Sequence, residues 1–231
     1  KMKTIGLLGG MSWESTALYY RQINELVKEK LGGLHSAQIA MYSVDFQEIE
    51  ELQHAGQWDA TGEILSKAAE QVQNAGADFL LICTNTMHKV APQIESAIDI
   101  PLLHIADATA ERIKSEGIKN IGLLGTRFTM EQDFYAGRLR DAHGLNVILP
   151  SKQDRDIVHR VIYEELVLGV VRDESRLEYL RTMDALRAEG AEGVIEGCTE
   201  IVMLVQQEHT DIPLFDTTSI HAQAAVEMAL R

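Results

Sequence analysis

Ile5-Gly6-Leu7-Leu8-Gly9, near the amino terminus, returns as Ile121-Gly122-Leu123-Leu124-Gly125, an offset of 116 residues. Apolar residues and glycines without polar alternation read as a strand buried on both faces, as in the middle of a parallel sheet. Two further echoes follow in the same order. Gly76-Ala77-Asp78 is matched by Gly190-Ala191-Glu192 at an offset of 114, and Ile100-Pro101-Leu102 by Ile212-Pro213-Leu214 at an offset of 112. Three collinear matches whose spacing drifts by only a few residues describe an internal duplication with small loop deletions. The chain is therefore predicted to form two similar halves, residues 1–116 and 117–231, each with this motif as its central strand. The last helix, about residues 217–231, is expected to pack back on the first half.

Outward from these motifs the chain alternates. Apolar runs at residues 4–8, 38–44, 77–82, 118–124, 146–149 and 193–195 read as strands. Between them lie helical stripes, such as Ile64, Leu65, Ala68, Ala69 and Val72, or Tyr20, Ile23 and Val27. Thr129-Met130-Glu131-Gln132 reads as a capping box at a helix start. Regular strand–helix succession implies an α/β fold, two Rossmann-like halves with parallel sheets related by a pseudo-twofold.

Composition narrows the function. The 231 residues carry 45% hydrophobic content, enough for one large or two small cores, and a net charge of −14. That charge argues against nucleic acid or an anionic membrane as partner. No apolar run approaches the roughly 18 residues of a spanning helix, and a cytoplasmic location is expected. Two cysteines are too few for a disulfide framework, and no pair of histidines stands with carboxylates at metal-ligand spacing. Neither a dinucleotide fingerprint nor a Walker lysine follows Gly9-Gly10, so no nucleotide is expected. No cofactor and no metal are anticipated.

In open parallel sheets a ligand binds at the carboxyl ends of the strands, and here the expected place is the cleft between the halves. The loops there begin at Gly9, Asp45, Thr84, Gly125 and Gly197, and they are rich in glycine and hydroxyl residues. Backbone N–H groups at helix starts suit an anion. The two cysteines seem at first to face each other, but the repeat pairs them differently. Eight residues beyond Gly76 stands Thr84, and eight beyond Gly190 stands Cys198, so Cys83 aligns with Gly197 instead. Neighbouring side chains on a strand point to opposite faces. Cys83 is therefore expected in the packing, with Thr84 and Cys198 as the matched pair. Cys198, at an anticipated helix N-terminus, is expected to be a thiolate.

Thr84-Asn85-Thr86-Met87-His88 resembles the Cys-Asn-Thr-x-His motif of the aspartate/glutamate racemase superfamily, and Gly197-Cys198-Thr199-Glu200 resembles its second motif. Gly9-Gly10-Met11-Ser12-Trp13-Glu14-Ser15-Thr16 resembles the opening loop of the aspartate racemase branch, and the likeness runs through essentially the whole chain. The first motif departs from the symmetric members by carrying Thr84 in place of cysteine. This resembles a subgroup with a Thr/Cys pair that favours L-substrates. The resemblance implies cofactor-independent racemisation of L-aspartate or L-glutamate, a small anionic amino acid as ligand, and a homodimer.

Racemisation removes the α-proton from one face and returns one to the other, so two acid/base groups must flank the substrate. A thiol of ordinary pKa near ~8.5 can be lowered to a useful thiolate, whereas a threonine hydroxyl protonates a carbanion more readily than it starts attack. Cys198 is thus expected to take the proton from the L-enantiomer and Thr84 to return one, with a directional preference. Met11, Ser12, Asn85, Thr86, Thr126 and Thr199 offer donors to the substrate carboxylates, and Asn85 could also steady the developing enolate charge. Gln53 is a candidate for the distal carboxylate, Lys89 and Arg127 for the balancing cation, and Glu200 for orienting groups around Cys198. His88 stands close to Thr84 in the motif. Related carbanion chemistry (maleate isomerase, hydantoin racemase, arylmalonate decarboxylase) and simple dicarboxylate binding are the alternatives.

Overall fold

In the computed structural model, which describes all 231 residues, the first motif forms β1 (Ile5–Gly9), buried along its whole length. It is the middle strand of a parallel sheet in the order β2–β1–β3, with β2 at Ile39–Ser43 and β3 at Phe79–Ile82. Parallel strands need crossovers. Here they are α1 (Trp13–Leu31), α2 (Phe46–His54) and α3 (Trp58–Asn74). A 3-10 turn at Thr86–Val90 leads into α4 (Ala91–Ala97) and α5 (Ile105–Ser115).

The second motif forms β4 (Asn120–Gly125), followed by α6 (Arg127–Glu131), α7 (Asp133–Asp141), β5 (Asn146–Ile148), α8 (Lys152–Glu164) and α9 (Asp173–Ala188). The chain ends with β6 (Val194–Gly197), α10 (Ile201–Leu204), β7 (Leu214–Asp216) and α11 (Thr217–Leu230). This sheet runs β5–β4–β6–β7, all parallel.

The duplication holds down to single hydrogen bonds. Gly6 pairs with Leu80 across β1–β3, and Gly122 with Val194 across β4–β6. Asp78 N–H donates to Thr4 O at 2.8 Å, as Glu192 N–H does to Asn120 O at 2.8 Å. The carboxylates of the same two residues accept from Thr4 N–H (2.7 Å) and Asn120 N–H (3.0 Å). Leu80 N–H donates to Pro101 O and Val194 N–H to Pro213 O, both at 2.9 Å. The third echo is therefore a fourth strand position. It is a full strand, β7, in the second half but only a single bridge, Leu80 to Leu102, in the first.

Contacts divide the chain into unit 1, Lys1–Ile105 with His221–Arg231, and unit 2, Ala106–Ile220. The division falls at 105/106 and not at the expected 116/117, because α5 from Ala106 onward packs with the second unit. In unit 1, one sheet face carries Leu8, Leu80 and Ile82 against Leu65, Ala69 and Val72 of α3. The other face carries Leu7, Phe79 and Leu81 against Tyr19, Ile23 and Val27 of α1 and Ala222, Ala225 and Val226 of α11. In unit 2, Leu124 and Val194 pack against Val158, Val161 and Ile162 of α8 and Tyr179, Met183 and Leu186 of α9. Each of these large side chains contributes about 1.5–3 kcal/mol through removal from water. No helix is long and apolar enough to cross a membrane.

Two local expectations change. The capping residue at the end of β4 is Thr126, whose Oγ1 accepts from Thr129 N–H, so Thr129 lies inside α6 and does not start a helix. The strand expected at 193–195 continues to Gly197 and carries Glu196 within it.

Equivalent glycines in the central strands give unequal consequences. A Cβ on Gly6 would lie 2.7 Å from the backbone oxygen of Phe79, whereas one on Gly122 would meet the side-chain tip of Leu186 at 2.9 Å. Gly6→Ala is expected to cost about 2 kcal/mol, and Gly122→Ala clearly less, as read from urea unfolding midpoints.

Candidate active site

The opening loop of unit 1 is held by its own hydroxyls. Gly10 has φ 92°, and a Cβ there would lie 2.3 Å from Val44 O, so only glycine fits. Its N–H donates to Thr16 Oγ1 at 2.9 Å, and Thr16 Oγ1 donates to Ser12 O at 3.2 Å. Ser12 caps α1 by accepting from Ser15 N–H, and it is the only non-glycine residue with positive φ, at 141°. Such strain collects at functional loops. Met11 beside it is buried in the α3-side core.

The end of β3 is clamped next to this loop. Cys83 N–H donates to Leu8 O at 3.0 Å, and Ser15 Oγ donates to Cys83 O at 3.2 Å. The Cys83 side chain is buried on the α1 and α11 side, and burial pushes its thiol far above the ordinary range. It is packing, as the repeat offset predicts. Thr84 follows, half-buried, and Asn85 and Thr86 are buried at the start of the 3-10 turn. His88 reaches back from that turn to Thr84 O at 2.7 Å.

Unit 2 presents the matching strand end. Cys198 follows β6, half-buried, and packs against the α8–α9 core. Its Sγ donates to Glu200 Oε2 at 2.8 Å. Thr199 Oγ1 lies 3.1 Å from Thr218 Oγ1, and Thr217 Oγ1 donates to Glu196 O at 3.2 Å, so α11 ties down the loop from both sides. Thr126 is buried at the end of β4.

The expected thiolate is not the resting form. Burial and the adjacent Glu200 carboxylate push the Cys198 thiol well up, while the N–H groups of Glu200 and Ile201 pull it down only in part. Desolvation is the largest cause, and α10, only four residues long, has little dipole with which to offset it. The resting arrangement is a thiol hydrogen-bonded to a carboxylate, an acid beside a group able to take its proton.

The predicted residues thus fall into two groups. Met11, Ser12, Thr84, Asn85 and Thr86 belong to unit 1, and Thr126, Cys198, Thr199 and Glu200 to unit 2. Gln53 is buried in α2 on the same face as Ile49. The candidate cations are already engaged: Arg127 pairs with Asp156 at 3.0 Å, and Lys89 Nζ sits 4.8 Å from the Trp58 ring centroid. No group of three or more His, Cys, Asp or Glu side chains is arranged to hold a metal ion.

Sequence reasoning missed Glu196. It is 3% exposed, its Oε2 has no hydrogen-bond partner, and Asp216 stands opposite it in the β6–β7 register. Burial, then the Asp216 charge, raises its carboxyl to about 8. The signal available was a lone carboxylate two residues before Cys198 in an otherwise apolar run. Because the folded pKa lies above the unfolded one, its stabilising contribution is full below about pH 4.5 and is lost as pH rises to about 8. Glu196→Gln is therefore expected to raise the melting temperature by several degrees at pH 8 and hardly at all at pH 4. Thermal melts across that range measure it.

The family model described as Asp/Glu/Hydantoin racemase matches residues 8–225. A Yersinia pestis protein assigned as an Asp/Glu racemase shares 57% identity over 100% of both chains, with a TM-score of 0.96. An aspartate racemase homologue from Pyrococcus horikoshii OT3 shares 33% identity, again over 100% of both chains, with a TM-score of 0.88. The broad specificity amino-acid racemase RacX of Bacillus subtilis (strain 168) is 20% identical, covering 98% of each chain. The chain belongs to the Asp/Glu/hydantoin racemase family and is a racemase.

Proposed function

We propose that the protein racemises L-aspartate, L-glutamate or both without a cofactor, by two-base proton transfer at Cα, with Cys198 and Thr84 on opposite faces of the substrate. The observation that carries this reading is the Cys198 Sγ to Glu200 Oε2 hydrogen bond of 2.8 Å, at the strand end that the duplication equates with Thr84. The substrate is a zwitterion whose ammonium group favours negative charge on the Cys198 sulfur when the thiol gives its proton to the Glu200 carboxylate. The thiol proton passes to Glu200, and the thiolate takes the α-proton, leaving an enolate-like carbanion. Thr84 Oγ–H donates its proton to the far face and regains one from water, while Glu200 releases its proton to the resulting hydroxide, which restores the resting pair. In the reverse direction Thr84 must lose its proton as the D-enantiomer is attacked, which is the harder start for a hydroxyl. The N–H groups of Met11 and Ser12 and of Asn85 and Thr86 suit the substrate carboxylates, as does that of Thr199. A cytoplasmic homodimer remains part of the proposal. Both cysteines are unpaired, in keeping with a reducing compartment, and the dimer rests on the family resemblance.

The expected directional preference needs one correction. L- and D-aspartate are equal in free energy, so kcat/KM must be the same in both directions. The asymmetry can appear only in kcat and KM taken separately. Incubation of L-aspartate or L-glutamate in D₂O, followed by NMR, is expected to show loss of the α-proton signal. Cys198→Ala should abolish this exchange, while Cys83→Ala should keep it, and exchange surviving in Cys198→Ala would overturn the mechanism. Binding of dicarboxylates without any exchange would mark a binding protein instead. Thr84→Cys should raise kcat with the D-enantiomer by about tenfold, since a thiol is far the stronger acid.

A further inference from the structure

In unit 2 the residue after Thr199 places its carboxylate on the reacting sulfur, whereas nothing equivalent stands at that position in unit 1, where Thr86 takes the place of Glu200. The only general base in the unit 1 motif is His88, and both of its ring nitrogens are engaged by backbone. Nε2 accepts Ile105 N–H at 3.2 Å, which leaves the proton on Nδ1, and Nδ1–H donates to Thr84 O at 2.7 Å. The ring is 1% exposed, with His104 at 4.5 Å and His221 at 5.9 Å between ring centroids. His221 is fixed in turn. Its Nδ1 accepts from Tyr19 Oη at 2.6 Å, and its Nε2–H donates to Leu103 O at 2.8 Å. Desolvation, followed by the neighbouring His104 and His221, holds the His88 imidazole well below its ordinary pKa.

We propose that His88 is a positioning residue: as a permanently neutral Nδ1–H tautomer it fixes the carbonyl, and so the backbone angle, of Thr84, and takes no part in proton transfer. With Ser15 Oγ holding Cys83 O, two successive carbonyls at the end of β3 are clamped by side-chain donors. The inference rests on the reading of Thr84 as a proton-transfer group, and it explains why that group works without a base of its own. A histidine that relayed the Thr84 proton would need one free nitrogen, and this one has none.

Two isosteres separate the roles. The asparagine side-chain amide overlays Nδ1–H and keeps the bond to Thr84 O, whereas glutamine overlays Nε2 and keeps only the bond from Ile105 N–H. His88→Asn is expected to retain racemisation kcat within about threefold, and His88→Gln to lose about tenfold or more, the worth of one buried hydrogen bond. Melting temperatures of the two variants should lie close together. Nitrogen-15 NMR of the wild-type ring, assigned by its loss in His88→Asn, is expected to show the neutral Nδ1–H form throughout about pH 5.5 to 8. Equal rates in the two variants, or a His88 titration in that range, overturns the positioning role while leaving the Cys198→Ala result intact. Exchange that survives Cys198→Ala instead removes the catalytic reading itself, and the NMR tautomer still reports on His88.

Discussion

Both candidate strand ends descend from one parallel pairing made twice. Gly6 opposite Leu80 and Gly122 opposite Val194 place two strands in the same register against their central neighbours. Four residues beyond each paired position, the chain leaves the sheet at Thr84 and at Cys198. The absence of a side chain at Gly6 lets β1 approach Phe79 O and Val72, so the close packing of α3 on the sheet and the register share one cause. A slip by one residue would turn Cys83 outward and Thr84 into the packing, because side-chain direction alternates along a strand.

Charge distribution then distinguishes the two strand ends. In unit 2, acids gather: Glu200 at the sulfur, and Glu196 beside Asp216 in the strands that lead to it. Burial first, and then the neighbouring carboxylate, oppose a new negative charge there, which is why the thiol and the Glu196 carboxyl both keep their protons. In unit 1 the buried groups around Thr84 are imidazoles held neutral by burial. Carboxylates thus crowd one strand end, and neutral imidazoles lie near the other.

Much of this was legible before the structure. The central strands, the parallel α/β class, the Thr84–Cys198 match and the burial of Cys83 all follow from repeat offsets and strand alternation. Features that depend on where elements end were less so. The thiolate expected at Cys198 assumed a helix long enough to carry a dipole, and α10 has one turn. The cap at Thr129 was misplaced because Thr126, three residues earlier, had the same chemistry and stood nearer the strand end. Glu196 escaped notice because a carboxylate ordinarily ends a buried strand and here lies within one. His221 carried no local signal, since its partners Tyr19 and Leu103 are 202 and 118 residues away.

By itself the sequence determined the duplication, the sheet class and which side chains stand at matched positions at the two strand ends. These depend on local periodicity and on spacing between similar segments, and both are written along the chain. Only the tertiary structure decided protonation and tautomer: that Cys198 rests as a thiol on Glu200, that Glu196 holds a proton, and that His88 has no free nitrogen. Those states are set by desolvation and by partners distant in sequence, quantities that exist only once the chain has closed around them.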